Sequence, residues 1–283
     1  MKKLAIVGAI VIMSATFAPG SDSTRQIKLT VATGGLVNVV NSGGSVTIHQ
    51  GAPHQVVVDA VTHSEKIEVD ASNTPDGRRA DIRTHVLSGQ KPSSDESKVD
   101  YVISVPPGVS VTVTTATAPI TADGVGGDLS LSSDTGHITA KSATSTHLQV
   151  RGVAAPVTLT NVVGYVEVTS SGGAVQLSNV TGPKVSVSTT SGDIGYQGDF
   201  SGGGSYVLST HSGGIDVTLP ASASVDLTAR SITGSVENDY PLQSKSHMTF
   251  VPMQGRSFAG TSNSGSSSVE LQSFSGKIRV KKQ

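Results

Sequence analysis

Thr189-Thr190-Ser191-Gly192-Asp193-Ile194 is followed about one period later by His211-Ser212-Gly213-Gly214-Ile215-Asp216-Val217-Thr218-Leu219. Each stretch sets a glycine, one variable residue and then Ile, Leu or Val at the head of a short strand. The same unit opens at Gly127, Gly136, Gly164, Gly173, Gly234 and Gly276. By subtraction, Gly173, Gly192, Gly213 and Gly234 lie 19, 21 and 21 residues apart, and Gly276 follows 42 later, two further periods. The pair Gly127/Gly136 recurs 37 residues on as Gly164/Gly173. A steady period near 20 residues is the pattern of a solenoid, in which each coil buries its apolar face only against the next. The fold class that follows is all-β: a parallel β-solenoid (β-helix) preceded by a small N-terminal β region. A glycine-rich antiparallel sandwich also has recurring turns, but the near-constant period and single polarity of the unit favour the solenoid.

Working outward, the strands alternate with period two. Val185-Ser186-Val187-Ser188, Val166-Glu167-Val168 and Ile215-Asp216-Val217-Thr218-Leu219 put β-branched or Leu side chains on one face and Ser, Thr, Glu or Asp on the other. Val217 therefore points inward and Thr218 outward. The glycines sit where a coil turns a corner, which needs either positive φ or close stacking of backbone on backbone. Ser and Thr beside them can hydrogen-bond the turn. The expected organisation is a signal peptide over residues 1–20, an N-terminal β region over 21–105, and solenoid repeats over 106–283. Within the second of these, Ile27-Lys28-Leu29-Thr30-Val31, Leu36-Val37-Asn38-Val39, Val46-Thr47-Ile48 and Val56-Val57-Val58 are separated by glycine turns that read as hairpins. Asn73 to Arg79 reads as a turn, residues 88–98 as an exposed loop, and Pro106-Pro107 as the stop after a strand.

The address is read from the start of the chain. Lys2 and Lys3 precede an apolar run from Leu4 to Phe17, and Ala18-Pro19-Gly20 is a small-x-small cleavage candidate. This is the layout of a secretory signal. The run is short for a membrane span, which needs about 20 residues, and no stable span is expected after the signal is removed. The 283 residues contain no Cys, so disulfides, zinc–thiolate sites and thiol catalysis are excluded together. A net charge of −1 argues against nucleic acid as a partner. The one dense basic stretch, Lys277, Arg279, Lys281 and Lys282, reads as a solvated last strand that blunts an exposed edge.

Several segments together resemble a bacterial family of exported, glycine-rich β-solenoid proteins of unknown function that carries the provisional label of adhesin. They are Asn41-Ser42-Gly43-Gly44-Ser45-Val46-Thr47-Ile48, Val99-Asp100-Tyr101-Val102-Ile103-Ser104-Val105-Pro106, Thr189 to Ile194, His211 to Pro220, and Ser273-Phe274-Ser275-Gly276-Lys277-Ile278. The resemblance covers most of the chain after the signal. It implies a parallel β-solenoid and envelope export and little about mechanism. The family's common Ser-Gly-Asp gives way here to His137, Ala174, Gly214 and Ser235 after the glycine, which speaks against a regular ladder of metal-binding Asp.

Candidate chemistry is sparse. Glu167, Asp216 and Glu237 occupy the outward position of the repeat. Asp216 and Glu237 fall in successive coils, so stacking is expected to stand the two carboxylates about 5 Å apart, as a cation site or as the acids of a polysaccharide lyase or hydrolase. No Arg or Lys is expected beside them. His49, His54, His63, His85, His137, His147, His211 and His247 show no metal-ligand spacing and read as turn or surface residues. No serine lies in a nucleophile elbow, and no nonapeptide calcium repeat is present. Tyr165 could stack on a sugar ring, whereas Tyr196 falls in the inward phase. No catalytic, cofactor-binding or metal-ligating residue is assigned. The expected function is that of an exported cell-envelope scaffold or adhesin, not an enzyme, with an extended polar face for envelope glycans or proteins. The alternatives are a carbohydrate-active enzyme using Asp216 and Glu237, and an envelope-stress accessory that binds a regulator.

Overall fold

The computed structural model describes residues 22–200, 203–244 and 254–283. The signal segment, its cleavage candidate and His247 lie outside the described residues. No helix occurs among those described, and no helix is long and apolar enough to cross a membrane. The chain divides into two compact units, Met1–Gly136 and His137–Gln283.

The first unit contains β1 (Ser23–Thr30), β2 (Leu36–Asn41), β3 (Gly44–Gln50), β4 (Gln55–Thr62), β5 (Ile67–Asn73), β6 (Arg79–Val86), β7 (Val99–Val105), β8 (Ser110–Thr115), β9 (Ile120–Asp123) and β10 (Leu129–Ser133). They form two layers, β1-β4-β7-β3-β9 and β10-β8-β2-β6-β5. Neither glycine turn read as a hairpin is one: Gly34-Gly35 joins β1 to β2, which lie in different sheets. Ser42-Gly43 separates β2 from β3, which lie in different sheets, so this turn is a coil corner. Gly44 lies so close to Val99, its register partner on β7, that a Cβ would meet the Val99 carbonyl. β1 pairs antiparallel with β4, and β4 with β7, whereas β3 pairs parallel with β7 and β9. Among the described residues of this unit, the consecutive strands that form a hairpin are β5 and β6, across the turn predicted at Asn73 to Arg79. Between the layers lie Val37, Val39, Val46, Ile48, Tyr101, Ile103, Val111 and Val113, all at most 1% exposed. The loop predicted at 88–98 is irregular and mostly exposed.

The second unit contains β11 (Ile138–Lys141), β12 (Thr144–Gly152), β13 (Val157–Thr160), β14 (Val163–Ser170), β15 (Val175–Ser178), β16 (Lys184–Thr189), β17 (Ile194–Gln197), β18 (Ser205–Thr210), β19 (Ile215–Leu219), β20 (Val225–Ser231), β21 (Val236–Asn238), β22 (Gln243–Ser244), β23 (Ser257–Ser262), β24 (Ser267–Ser273) and β25 (Ile278–Lys282). Alternate strands stack into two sheets, β11-β13-β15-β17-β19-β25-β21 and β12-β14-β16-β18-β24-β20-β23-β22. Pairing is parallel from β11 through β21, as in a β-solenoid, and among the described residues only β20–β23 and β22–β23 are antiparallel. The alternation is as read: Val185, Val187, Ile215 and Val217 are buried, and Ser186, Ser188 and Asp216 face outward. Tyr196 is buried, as its phase predicted. Its ring stacks on Phe200 at 4.0 Å between centroids, and its hydroxyl donates to Val180 O at 2.9 Å.

The corner glycines are required by contact. A Cβ on Gly192 would stand 2.1 Å from Gly173 O, and one on Gly213 2.2 Å from Gly192 O. Three residues before each glycine, a buried hydroxyl ties the corner. Thr189 donates to Gly192 O at 2.7 Å, and Gly213 N donates to Thr210 Oγ1 at 3.0 Å. Such buried hydroxyls are stable only because they are paired.

The order of coils departs from the sequence reading in one place. β24 and β25, last in the chain, lie inside the stack: β24 between β18 and β20, β25 between β19 and β21. The basic strand is therefore internal and does not blunt an edge. The 42-residue interval from Gly234 to Gly276 holds β21 to β24, with an excursion through β22 and β23, and is not two uniform periods.

Candidate functional site

The outward face of the β12-β14-β16-β18-β24-β20 sheet is built from columns of register-matched residues. One column runs Thr169, Ser188, Ser209, Gln272 and Arg230. Two residues further along the strands, past the buried Thr210, Ser273 and Ser231, the chain turns the corner. There His211, Phe274 and Ile232 occupy matching positions, held by Ser275 N donating to His211 O at 3.0 Å and Thr233 N to Phe274 O at 2.8 Å. The His211 and Phe274 rings stack at 4.8 Å between centroids and 10° between planes. Phe274 is 44% and Ile232 47% exposed. This ridge and the polar column beside it enclose a shallow furrow of about 400 Å³, lined by Ser188, Ser209, Gln272, Arg230 and the ridge itself. An apolar ridge with a polar rim containing Arg has the composition of a contact surface. Repeat reading missed it because Phe274 and Ile232 fall outside the alternating strands and come together only through the permuted coil order.

The sequence candidates are placed as follows. Asp216 and Glu237 are both exposed and on the same face, but they are not neighbours. β25 separates them, and Arg279 is the register partner of both. Arg279 Nη1 lies 3.5 Å from Asp216 Oδ1, and Lys277 Nζ lies 2.5 Å from Glu237 Oε1. The expectation of two bare, repelling acids with no basic residue beside them is therefore corrected: a strand carrying cations is inserted between the acids. The hydrogen bond from Lys277 holds the Glu237 carboxyl below the usual range. A glycosidase acid needs the opposite shift. Glu167 is half-buried, 3.8 Å from His147. Tyr165 is half-buried, with the His147 ring edge-on at 4.9 Å and the Lys184 ammonium 5.5 Å from its centroid. Its ring is thus already engaged within the protein.

In the first unit the β5–β6 hairpin brings Glu68, Asp70 and His85 within metal-ligand reach, all exposed. Register across adjacent antiparallel strands does this, which spacing along the chain does not reveal. Asp70 Oδ2 lies 2.8 Å from His85 Nδ1, and Glu68 Oε2 3.7 Å from Nε2. With Nδ1 engaged by Asp70, an ion at Nε2 would have only His85 and Glu68 as protein ligands, fewer than a zinc site uses. His63 likewise stands between two acids, with Nδ1 2.7 Å from Asp22 and Nε2 2.9 Å from Asp100. Those hydrogen bonds, Asp100 first, raise its pKa above the ordinary value.

Stacked parallel coils and glycine corners define an all-β protein of the β-solenoid class. The chain belongs to the Toastrack DUF4097 family, whose profile matches residues 37–281. Among solved structures it is similar to an adhesin-like protein from Bacteroides fragilis NCTC 9343, with 12% identity, 93% of this chain and 99% of that chain covered, and a TM-score of 0.53. It is also similar to an adhesin-like protein from Parabacteroides merdae ATCC 43184, with 11% identity, 94% and 97% covered, and a TM-score of 0.54. At such identities the likeness is one of fold. No curated protein matches the chain significantly.

Proposed function

We propose that the chain is an exported cell-envelope protein that acts as a non-enzymatic adhesive scaffold, and that it makes contact through the His211–Phe274–Ile232 ridge and the furrow beside it. One observation carries this reading. On a face otherwise dominated by Ser, Thr and Gln, a phenylalanine and an isoleucine stand side by side in solvent. Contiguous exposed apolar groups rimmed by polar ones are characteristic of binding sites. The furrow supplies hydroxyl, amide and guanidinium groups in one line, which suits an extended, hydroxyl-rich chain such as an envelope glycan, with the ridge as its apolar wall. Export rests on the Lys2-Lys3 and Leu4–Phe17 signal pattern. The adhesin-like structural relatives agree with this reading.

The test uses residues 22–283, isolated envelope polysaccharide and intact bacterial cells. Wild-type protein is expected to sediment with one or both and to leave the polymer uncleaved. Phe274→Ala combined with Arg230→Ala is expected to weaken binding at least tenfold with the fold intact by circular dichroism. Unchanged binding by the double variant would remove the ridge from the account. Polymer cleavage that disappears with Asp216→Asn and Glu237→Gln would establish the enzyme instead.

A further inference from the structure

The last coil in chain order is a wedge. β24 makes parallel ladders with both β18 and β20, and β25 with both β19 and β21. Its interior residues Val269, Leu271, Ile278 and Val280 are at most 1% exposed. Gly276 is fitted between two other corner glycines. Gly213 O stands where its Cβ would be, and Gly276 O stands where the Cβ of Gly234 would be.

The two walls of this slot share one frame and carry the same sign of charge at the matched position, Asp216 on β19 and Glu237 on β21. Gly213 and Gly234 are 21 residues apart, the same interval as Gly192 and Gly213. β20–β21 therefore carries the frame to stack directly on β18–β19. Direct stacking would put Asp216 against Glu237. The wedge puts Arg279 between them instead. Without the wedge, both walls present unpaired strand edges, and such edges are templates for strand addition.

We infer that β24–β25 is an exchangeable donor coil: the slot between β18–β19 and β20–β21 accepts the same coil from a second copy of this chain, which links two copies by strand exchange. The coil is joined to β23 by residues 263–266, where Asn263 and Gly265 adopt left-handed φ of 51° and 63°. Opening that short hinge frees the coil, and the ladders it loses are remade identically in the other copy. Closed and exchanged forms therefore differ mainly in hinge geometry and in the entropy of association. The proposal rests on coil order and charge and is independent of the ridge reading.

The chain has no Cys, so a paired reporter is clean. Asp216 and Arg279 are register partners on adjacent parallel strands, about 4.8 Å apart and within the Cα span of a disulfide. In residues 22–283, Asp216→Cys with Arg279→Cys in one chain is expected to form an internal link. The two single variants are then mixed, warmed to just below their melting temperature, cooled, oxidised and digested. A 216–279 cross-linked peptide from a covalent dimer is expected, in a yield that rises with protein concentration. Deleting Ser264 and Gly265, which hinders insertion within one chain, is expected to raise that yield several-fold. If the internal link forms and the mixture gives no more 216–279 peptide than an unwarmed control, exchange is refuted. If the internal link fails to form, the register that defines the slot is refuted.

Discussion

The two units hold their strands in place by different means. In the first, strands that reverse direction are tied by charged and polar side chains. His63 bridges Asp22 and Asp100, Lys66 meets Glu96 at 2.8 Å, and Gln26 on β1 donates to Asp59 on β4 at 2.8 Å. In the second, parallel coils from Ile138 to Gln197 are set by shape: glycine against carbonyl, valine upon valine, and a buried hydroxyl at the Ser170 and Thr189 corners. A fold without repeats fixes register with specific partners. A repeat fixes it by leaving no room for another register. The second unit should therefore be sensitive to volume, and the first to pH.

The largest effect tests the interior phase of the second unit. Val217 is 0% exposed, whereas Thr218 is its outward neighbour. Val217→Asp loses about 1.5–3 kcal/mol of apolar burial and adds the cost of a buried, unpaired carboxylate, enough to unfold the unit. Thr218→Asp should stay within about 0.5 kcal/mol of wild type, as ordinary surface changes do. Equal melting temperatures would show that the phase does not hold the unit together.

Next come the glycines, where the two units should part. Gly192→Val and Gly213→Val force a side chain against a neighbouring carbonyl at about 2 Å, and overpacking of this kind costs about 1–3 kcal/mol or more. Gly34 in the first unit has φ of 72° and nothing within 4 Å of a Cβ. Gly34→Ala should cost only the left-handed strain of about 1 kcal/mol. Chemical denaturation of the three variants measures the contrast, and a costlier Gly34→Ala would invert it.

What was legible follows the same division. The parallel solenoid, the inward Val217 and Tyr196 and the corner glycines could be read because a coil imposes one frame on every copy of itself. The first unit's pairings could not, because β1-β4-β7 is specified by contacts between distant segments, such as His63 with Asp22, that leave no periodic trace. The position of β24–β25 was hidden for the opposite reason. Its frame is so like that of β20–β21 that periodicity alone cannot order them. The charges at Asp216, Glu237 and Arg279 distinguish the two arrangements. The Phe274 ridge was invisible because it depends on that order.

The pH response belongs to the first unit. The His63 pKa is raised by hydrogen bonds to Asp100 and Asp22. Burial pushes the Asp100 carboxyl up, but hydrogen bonds from Ser45 and His63 outweigh it and leave the pKa lowered. A raised histidine contributes its full stabilisation below its unfolded pKa of about 6.5 and loses it as pH rises through the folded value. Wild type should therefore exceed His63→Gln in melting temperature at about pH 5.5, and the gap should narrow towards about pH 8. Hydrogen exchange in β1 and β4 should follow the same trend, with β13–β17 unaffected. A gap independent of pH would mean that His63 acts by packing alone.

The smallest effect concerns the one place where the second unit uses charge as the first does. If Asp216 and Glu237 faced each other directly, neutralising either would relieve repulsion and raise stability. With Arg279 between them, the sign reverses. Asp216→Asn removes an attraction across 3.5 Å and should lower stability. The Asp216 and Arg279 side chains are 51% and 40% exposed, so solvent screens the pair, and the loss should lie within about 0.2–1 kcal/mol. It should shrink further at about 1 M salt, where the screening length falls to about 3 Å. Arg279→Glu sets three acids in one row and should destabilise more than Asp216→Asn. Adding Asp216→Lys to it should restore part of the loss, because the cation and the anion have then only exchanged strands. Melting curves of this double-mutant cycle at low and high salt read the coupling directly. A rise in stability on Asp216→Asn alone would mean that β25 does not lie between β19 and β21 in solution, and that the coils follow chain order after all.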